Sequence, residues 1–320
     1  MRTPSPRSFF FPLLCSVASF TAGAHTLSKD VKQAALHKAV SVLPYGQTIG
    51  VEDLPTGIEA LSSWMSKLDD EKPISLVSIP ATHDAGTALG RYGWSRCQIL
   101  NIPAQLKVGV RGFDIRLRLV EDTFKIYHGN EYQRLEFITV MNAFQEFLKK
   151  HPTEFLVMRV REEKKADRPK STFEDAFVDM MKTHGFEKLL YKAKSRTEIP
   201  RVGQVRGKIV LIDNYGKLPD CIDYPNPTMS VQDDYDINDM RKKYSEIVQK
   251  FEDALAEKSG ATWHINYTSS CSALVDQISS AKANNAKVEG YLKGKKGNLG
   301  LVLMNFPSLD VIRSIVESNQ

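Results

Sequence analysis

Residues Ile74–Thr87 read ISLVSIPATHDAGT, and residues Val110–Leu119 read VRGFDIRLRL. The first stretch is a short run of apolar and β-branched residues that closes on a histidine and an aspartate in a Gly/Thr turn. That pattern is a strand followed by a loop with reactive side chains. The second stretch alternates. Phe113, Ile115 and Leu117 take one face, and Asp114, Arg116 and Arg118 take the other. Three charges on an inward face are expensive unless they are paired or used in chemistry.

Outward from these two stretches, apolar, turn-bounded runs recur at 74–80, 110–119, 124–127, 155–160, 208–212, 229–231, 263–267 and 299–304. Helical patterns lie between several of them. Phe137, Val140, Met141, Phe144, Phe147 and Leu148 keep helical spacing, and Pro152 stops that segment. Residues 173–190, 237–258, 273–292 and 309–318 are read as further helices. Strands and helices alternating over about 245 residues predict an α/β fold, a TIM (β/α)8 barrel in a single domain over 58–320. A doubly wound open sheet is the alternative, and no Gly-x-Gly-x-x-Gly follows a strand to support it.

Composition sets limits. The chain has 320 residues, 42% hydrophobic and 25% charged, which is ordinary for a globular protein. With 19 glycines and 15 prolines, collagen-like and low-complexity classes are out. A net charge of +5 without a tract of like charges is too weak to imply nucleic acid. At the N-terminus Arg2 and Arg7 precede the apolar run Phe9–Ala22, and Ala22-Gly23-Ala24 fits a small-x-small cleavage site. Residues 1–24 therefore read as a secretory signal peptide cleaved before His25, which makes the mature chain extracellular. Residues 25–57 read as a loosely attached leader. Cleavage would leave Cys97, Cys221 and Cys271, enough for one internal disulfide, and the sequence does not choose the pair.

In a barrel, reactive residues sit at the carboxyl ends of the strands. His83 and Asp84 end the first strand, Arg116 lies on the second, and Tyr127-His128-Gly129 ends the third. Two histidines and an arginine offer a general base, a general acid and an anion stabiliser, a set suited to phosphoryl transfer without a metal. The competing reading keeps His83 as a turn residue and Arg116 as a structural ion-pair partner.

At these residues the chain resembles the X domain of phosphatidylinositol-specific phospholipases C. Ser78–Thr87 is similar to the family's opening motif, Val110–Arg116 to its second block and Tyr127–Gly129 to its third. Phe155–Glu163, Arg206–Leu211, Val231–Tyr235, Ile265–Ser269 and Gly300–Phe306 follow in the family's order. The resemblance covers 58–317 and points to the small, secreted bacterial-type enzymes. It implies a distorted barrel that cleaves phosphatidylinositol, or a glycosyl-phosphatidylinositol anchor, to diacylglycerol and inositol 1,2-cyclic phosphate. It also implies a monomer in transient contact with a membrane surface.

By motif position, His83 is the base and His128 the acid. Arg116 holds the phosphate oxygens, Asp84 assists at the leaving group, and Asp114 braces Arg116 or a histidine. Asp233 matches an acceptor for an inositol hydroxyl, and Tyr235 the ring stacked under the sugar. Arg161 falls where the bacterial enzymes carry a lysine, with Glu163 placed to anchor it. Arg116 and Arg161 stand where calcium-dependent relatives have carboxylate ligands, so the expected chemistry needs no metal and no other cofactor.

Two positions depart from the family pattern. Asn214 replaces an inositol-contacting arginine. Asn305 replaces the aspartate that orients the base, and it accepts a hydrogen bond without bringing charge. These two asparagines motivate a second reading, a catalytically weak or inactive X domain that binds inositol lipid or a glycan. The sequon Asn266-Tyr267-Thr268 lies on an expected barrel strand and should be buried and unmodified.

Overall fold

The structure, a computed structural model, describes residues 28–37, 43, 46–91 and 93–320. The expected signal peptide lies outside the described residues. Ten strands form: β1 Ile79–Thr82, β2 Gly112–Val120, β3 Thr123–His128, β4 Glu131–Glu136, β5 Leu156–Glu162, β6 Ile209–Asp213, β7 Ile222–Asp223, β8 Met229–Gln232, β9 Trp263–Tyr267 and β10 Leu301–Met304. The helices are α1 Lys29–His37, α2 Ile102–Lys107, α3 Phe137–Lys150, α4 Phe173–Thr183, α5 Val202–Val205, α6 Met240–Ala256, α7 Gln277–Leu292 and α8 Leu309–Glu317.

Eight strands lie in the order β7-β6-β5-β2-β1-β10-β9-β8, every neighbouring pair parallel. That is chain order wrapped around a barrel. Among the described residues no ladder joins β7 to β8, and no α-helix follows β6 or β7. A βα unit without its helix leaves the outer face of its strand uncovered, so the barrel opens where the helices are missing. This is the distortion the resemblance implied.

Three expectations need correction. Residues 124–127 are not a barrel strand. β2 overshoots the barrel rim, turns through Glu121 and Asp122 at φ 49° and 63°, and returns as β3, antiparallel to β2 and to β4. Positive φ at both central residues is the two-residue hairpin geometry that matches strand twist. The remaining barrel strand is β7, whose two residues are too short for any periodicity to reveal. The leader is not loose where it is described: Ile49 is fully buried and pairs with Leu100, and Arg96 donates to the carbonyls of Leu43 and Gln47.

The core fills the barrel and the space between the sheet and its helices. Close approach decides some residue types. A Cβ on Gly112 would lie 2.5 Å from the Ala81 Cβ and 2.7 Å from Leu301 Cδ1, so only glycine lets β1 and β2 meet there. Asn266 is fully buried on β9, where its Oδ1 accepts from Gln232 and its Nδ2 donates to the Ile247 carbonyl, as expected for an unmodified sequon.

The floor of the barrel is tied by one buried ion pair. Arg111, just before β2, donates Nε to Glu154 Oε2 at 2.9 Å and caps the carbonyls of Leu61, Ser62, Leu106 and Val110. Its guanidinium lies 4.5 Å from the centre of the Phe147 ring. Glu154 also accepts the Met65 amide at 3.1 Å. Burial pulls the arginine down to about 10 even though Glu154 works against that fall. Both side chains are fully buried, so removing one charge strands the other. Glu154→Gln should lower the unfolding free energy by about 3–5 kcal/mol, read as a drop in the urea midpoint at unchanged slope.

Candidate active site

The mouth of the barrel is built from the carboxyl end of β1 outward. The chain leaves β1 through His83 and turns at Asp84, which adopts φ 48°, a conformation aspartate tolerates better than most residues. The turn hangs on β2: the Asp84 amide donates to Asp114 Oδ2 at 3.3 Å and the Ala85 amide to the Asp114 carbonyl at 2.9 Å. Gln98 clamps the other side by donating to the carbonyls of His83 and Met304.

Asp114 is fully buried. Its Oδ1 accepts from Arg159 Nη1 at 2.6 Å and its Oδ2 from Arg116 Nε at 3.1 Å. Burial pushes its carboxyl up, but Arg159, Arg116 and then His83 outweigh it, and the group stays far below the ordinary carboxylate range. Arg116 also meets Asp84 Oδ1 at 2.8 Å and Glu163 Oε2 at 3.6 Å. Burial lowers its pKa, and the carboxylates of Asp84, Asp114 and Glu163 more than reverse this.

His83 is held at both nitrogens. Nδ1 lies 2.9 Å from Asn305 Oδ1, so it carries the proton, and Nε2 accepts from Arg116 Nη2 at 2.5 Å. Burial lowers its pKa below the ordinary histidine value. Asp84 and Asp114 raise it, Arg116 lowers it further, and the Asn305 bond raises it slightly. His128, returned to the mouth by the β2–β3 hairpin, places Nε2 3.5 Å from Asp84 Oδ2. The same oxygen lies 3.4 Å from His83 Nε2. One carboxylate oxygen therefore stands between the two histidines.

The structure thus brings together His83, Asp84, Asp114, Arg116, His128, Glu163 and Asn305. Glu163 also accepts the Gly129 amide at 2.8 Å, which ties β5 to the loop carrying His128. Arg161 lies at the edge, with its side chain 44% exposed and Nε 3.7 Å from Glu163. Asp233 follows β8 on the rim, where the surrounding wall of protein pushes its carboxyl up to about 6, against the pull of Lys243 and Arg159. Tyr235 stands apart, 62% exposed. Arg118 bonds the Lys165 carbonyl and lies over the Tyr127 ring.

Sequence reasoning missed Arg159. Register pairs Arg159 with Asp114 and Arg161 with Arg116. Arg159 reaches over the end of β6 to the side-chain oxygen of Asn214, and its guanidinium stacks 4.6 Å from the Tyr224 ring centre. Asn214 is therefore a partner of a guanidinium rather than a vacancy left by one. Period-2 alternation placed Arg159 on the same face as Arg161, and that signal could have found it.

A scan against family models matches "Phosphatidylinositol-specific phospholipase C, X domain" over residues 71–215. Over that stretch the chain is similar to this X-domain family. Among curated relatives, the 1-phosphatidylinositol phosphodiesterase of Listeria monocytogenes is 29% identical over 275 residues, covering 80% of this chain and 84% of the relative. The Staphylococcus aureus protein of that name is 30% identical over 161 residues, covering 48% of this chain and 51% of its own length. The solved phosphatidylinositol-specific phospholipase C of Listeria monocytogenes has a TM-score of 0.72 at 26% identity, covering 81% of this chain and 99% of its own. A Staphylococcus aureus structure reaches 0.74 at 24% identity, covering 82% and 99%, and supports the fold.

At this site Arg159 and Arg116 share one buried carboxylate. Asp114→Asn would leave both guanidiniums buried without their counter-charge and should destabilise the protein by about 3–5 kcal/mol. Arg159→Met removes one charge and leaves Asp114 to Arg116 alone. We expect it to fold and to lose turnover by at least about tenfold through a misplaced Arg116, with thermal melting as the check on fold.

Proposed function

We propose that this protein is a phosphatidylinositol-specific phospholipase C working by paired histidine catalysis without a metal. One observation carries the reading: His83 and His128 face the same Asp84 oxygen, and the Nε2 lone pair of His83 is held by the guanidinium that would receive the phosphate. The inositol 2-hydroxyl takes the place of Arg116 on His83 Nε2 and gives that nitrogen its proton. Its oxygen attacks phosphorus and forms the cyclic ester. Arg116, released from His83, donates to the phosphate oxygens as charge builds on them. His128 gives its proton to the departing glycerol oxygen, so diacylglycerol leaves neutral. Asp84, between the rings, stabilises whichever histidine is cationic. Asp233 and Tyr235 on the rim serve the inositol ring, and Arg161 with Glu163 flanks it.

The departure at Asn305 does not favour the inactive reading. Asn305 fixes the tautomer of His83, and the negative charge lies on the other side of the ring, at Asp84 and Asp114, 3.4 and 3.9 Å from Nε2. The rim suits lipid: Trp94, in the loop after β1, is 72% exposed, and Leu274, in the loop after β9, is 81% exposed. The amphipathic ring of Trp94 favours a membrane–water boundary, and the Leu274 side chain adds apolar surface. On the strength of its N-terminal pattern we assign the mature chain to the extracellular side.

The purified protein, incubated with phosphatidylinositol vesicles and excess chelator, should release inositol 1,2-cyclic phosphate. His83→Ala and His128→Ala should each lose turnover while melting as the parent does. No product from the parent, or product only after calcium is added, would overturn the proposal. The activity–pH profile should be bell-shaped. Burial keeps His83 neutral down to a pH below its ordinary value of 6.5, so the acid limb should fall below that pH. Asn305→Asp adds a negative charge beside Nδ1, raises the pKa of His83, and should move that limb upward.

A further inference from the structure

Cys97 is buried in the loop between β1 and α2, held by its amide to Thr87 Oγ1 and by its carbonyl to the Phe306 amide. The mechanism above does not use it. Its Sγ lies 3.9 Å from Asp84 Oδ2, the oxygen that also stands 3.4 Å from His83 Nε2 and 3.5 Å from His128 Nε2. The donor atoms of His83, Asp84 and Cys97 all lie within 4.8 Å of one another. Tetrahedral zinc has bonds of about 2.0–2.3 Å, so its ligand atoms stand roughly 3.3–3.8 Å apart. Three separations measured from the Asp84 oxygen fall in or next to that range without any backbone change.

We propose that this mouth is an inhibitory site for a thiophilic divalent cation, Zn2+ being the representative, held by His83, Asp84 and Cys97, with His128 closing the fourth position. The donor set is sulfur, nitrogen and one carboxylate oxygen. That composition selects zinc and its soft neighbours over calcium and magnesium, which take oxygen cages. Coordination needs two local changes. Arg116 withdraws Nη2 from His83 and stays anchored through Asp114 and Glu163. The thiol of Cys97 releases its proton to solvent as its sulfur binds the cation, and no electron is transferred. The bound cation then occupies the lone pair that accepts the substrate proton and sits between the two histidines. The same atoms cannot serve both processes, so binding is competitive with turnover. The inhibitory part of this proposal rests on the functional reading above, whereas the metal site stands on geometry alone.

The test separates the two. Co2+ titrated into the intact protein should give a near-ultraviolet sulfur-to-metal charge-transfer band, displaced by Zn2+ and absent in Cys97→Ala and Cys97→Ser. Turnover on phosphatidylinositol vesicles should be suppressed by Zn2+ and restored by chelator. The Cys97 variants should keep basal turnover and need at least about tenfold more Zn2+ for the same suppression, the scale of a weakened metal site. Cys271→Ala, at an exposed cysteine, should behave as the parent. A band without any lipid cleavage would uphold the site and remove the enzyme reading. An active parent that shows no band, or zinc suppression that survives in both Cys97 variants, would overturn the site.

Discussion

Asp114 carries a charge that has no access to water, and two guanidiniums are the main reason it can. Taking a carboxylate out of water costs several kcal/mol even after relaxation, and Arg159 and Arg116 offset that cost one oxygen each. The pairing fixes geometry as much as energy. With both oxygens occupied, Arg116 cannot rotate freely, and its outer nitrogen is aimed at His83. The backbone of the same aspartate, together with its Oδ2, holds the amides of Asp84 and Ala85. The left-handed turn that presents Asp84 therefore hangs on the residue that orients the arginine. One strand position sets both the aim of Arg116 and the carboxylate between the histidines.

The balance of charge around this residue bears on the two departures from the family pattern. Asp84, Asp114 and Glu163 face Arg116, Arg159 and two histidines in a small volume. Asn305 brings no charge, but the imidazole it orients already has carboxylates beside its other nitrogen. Asn214 brings no guanidinium, but Arg159 reaches it from the neighbouring strand. Parallel strands at the same height make such exchange possible, because equivalent places on adjacent strand ends lie about 5 Å apart. A positive group can move one strand sideways and still face the mouth.

The carboxylates also decide what cation the mouth prefers. Each of those next to the arginine is already engaged with a guanidinium, which leaves little for a hard ion seeking an oxygen cage. The oxygen of Asp84 that faces away from Arg116 looks instead toward imidazole and thiol groups. Acid–base catalysis and soft-metal binding draw on the same property there, a lone pair on nitrogen that is kept free of protons.

Much of this was legible in the chain itself. The alternation in Phe113–Arg118 placed Asp114 and Arg116 on one inner face, and the periodicity of Phe137–Leu148 gave α3 almost to its ends, because burial of one face imposes a repeat that the sequence must carry. His83 and Asp84 were readable because strand ends in a barrel converge, whereas Asn305 and His128 were readable through the resemblance, His128 reaching the mouth on a hairpin and not at a barrel-strand end. Short and non-periodic features were not readable. β7 is two residues long, and β3 looks like any barrel strand until its direction is known, since strand patterning is the same for parallel and antiparallel pairing. The tethers of the leader, a bridge at Ile49 and the bonds from Arg96 to the carbonyls of Leu43 and Gln47, are isolated contacts without a period. Arg159 was hidden for another reason: its partners are far apart in sequence, Asp114 on one neighbouring strand and Asn214 at the end of the other. Local sequence determined which residues face the mouth, because side-chain direction follows from backbone period. Only the tertiary structure decided which charges pair there, because pairing depends on distances between strands that no local pattern encodes.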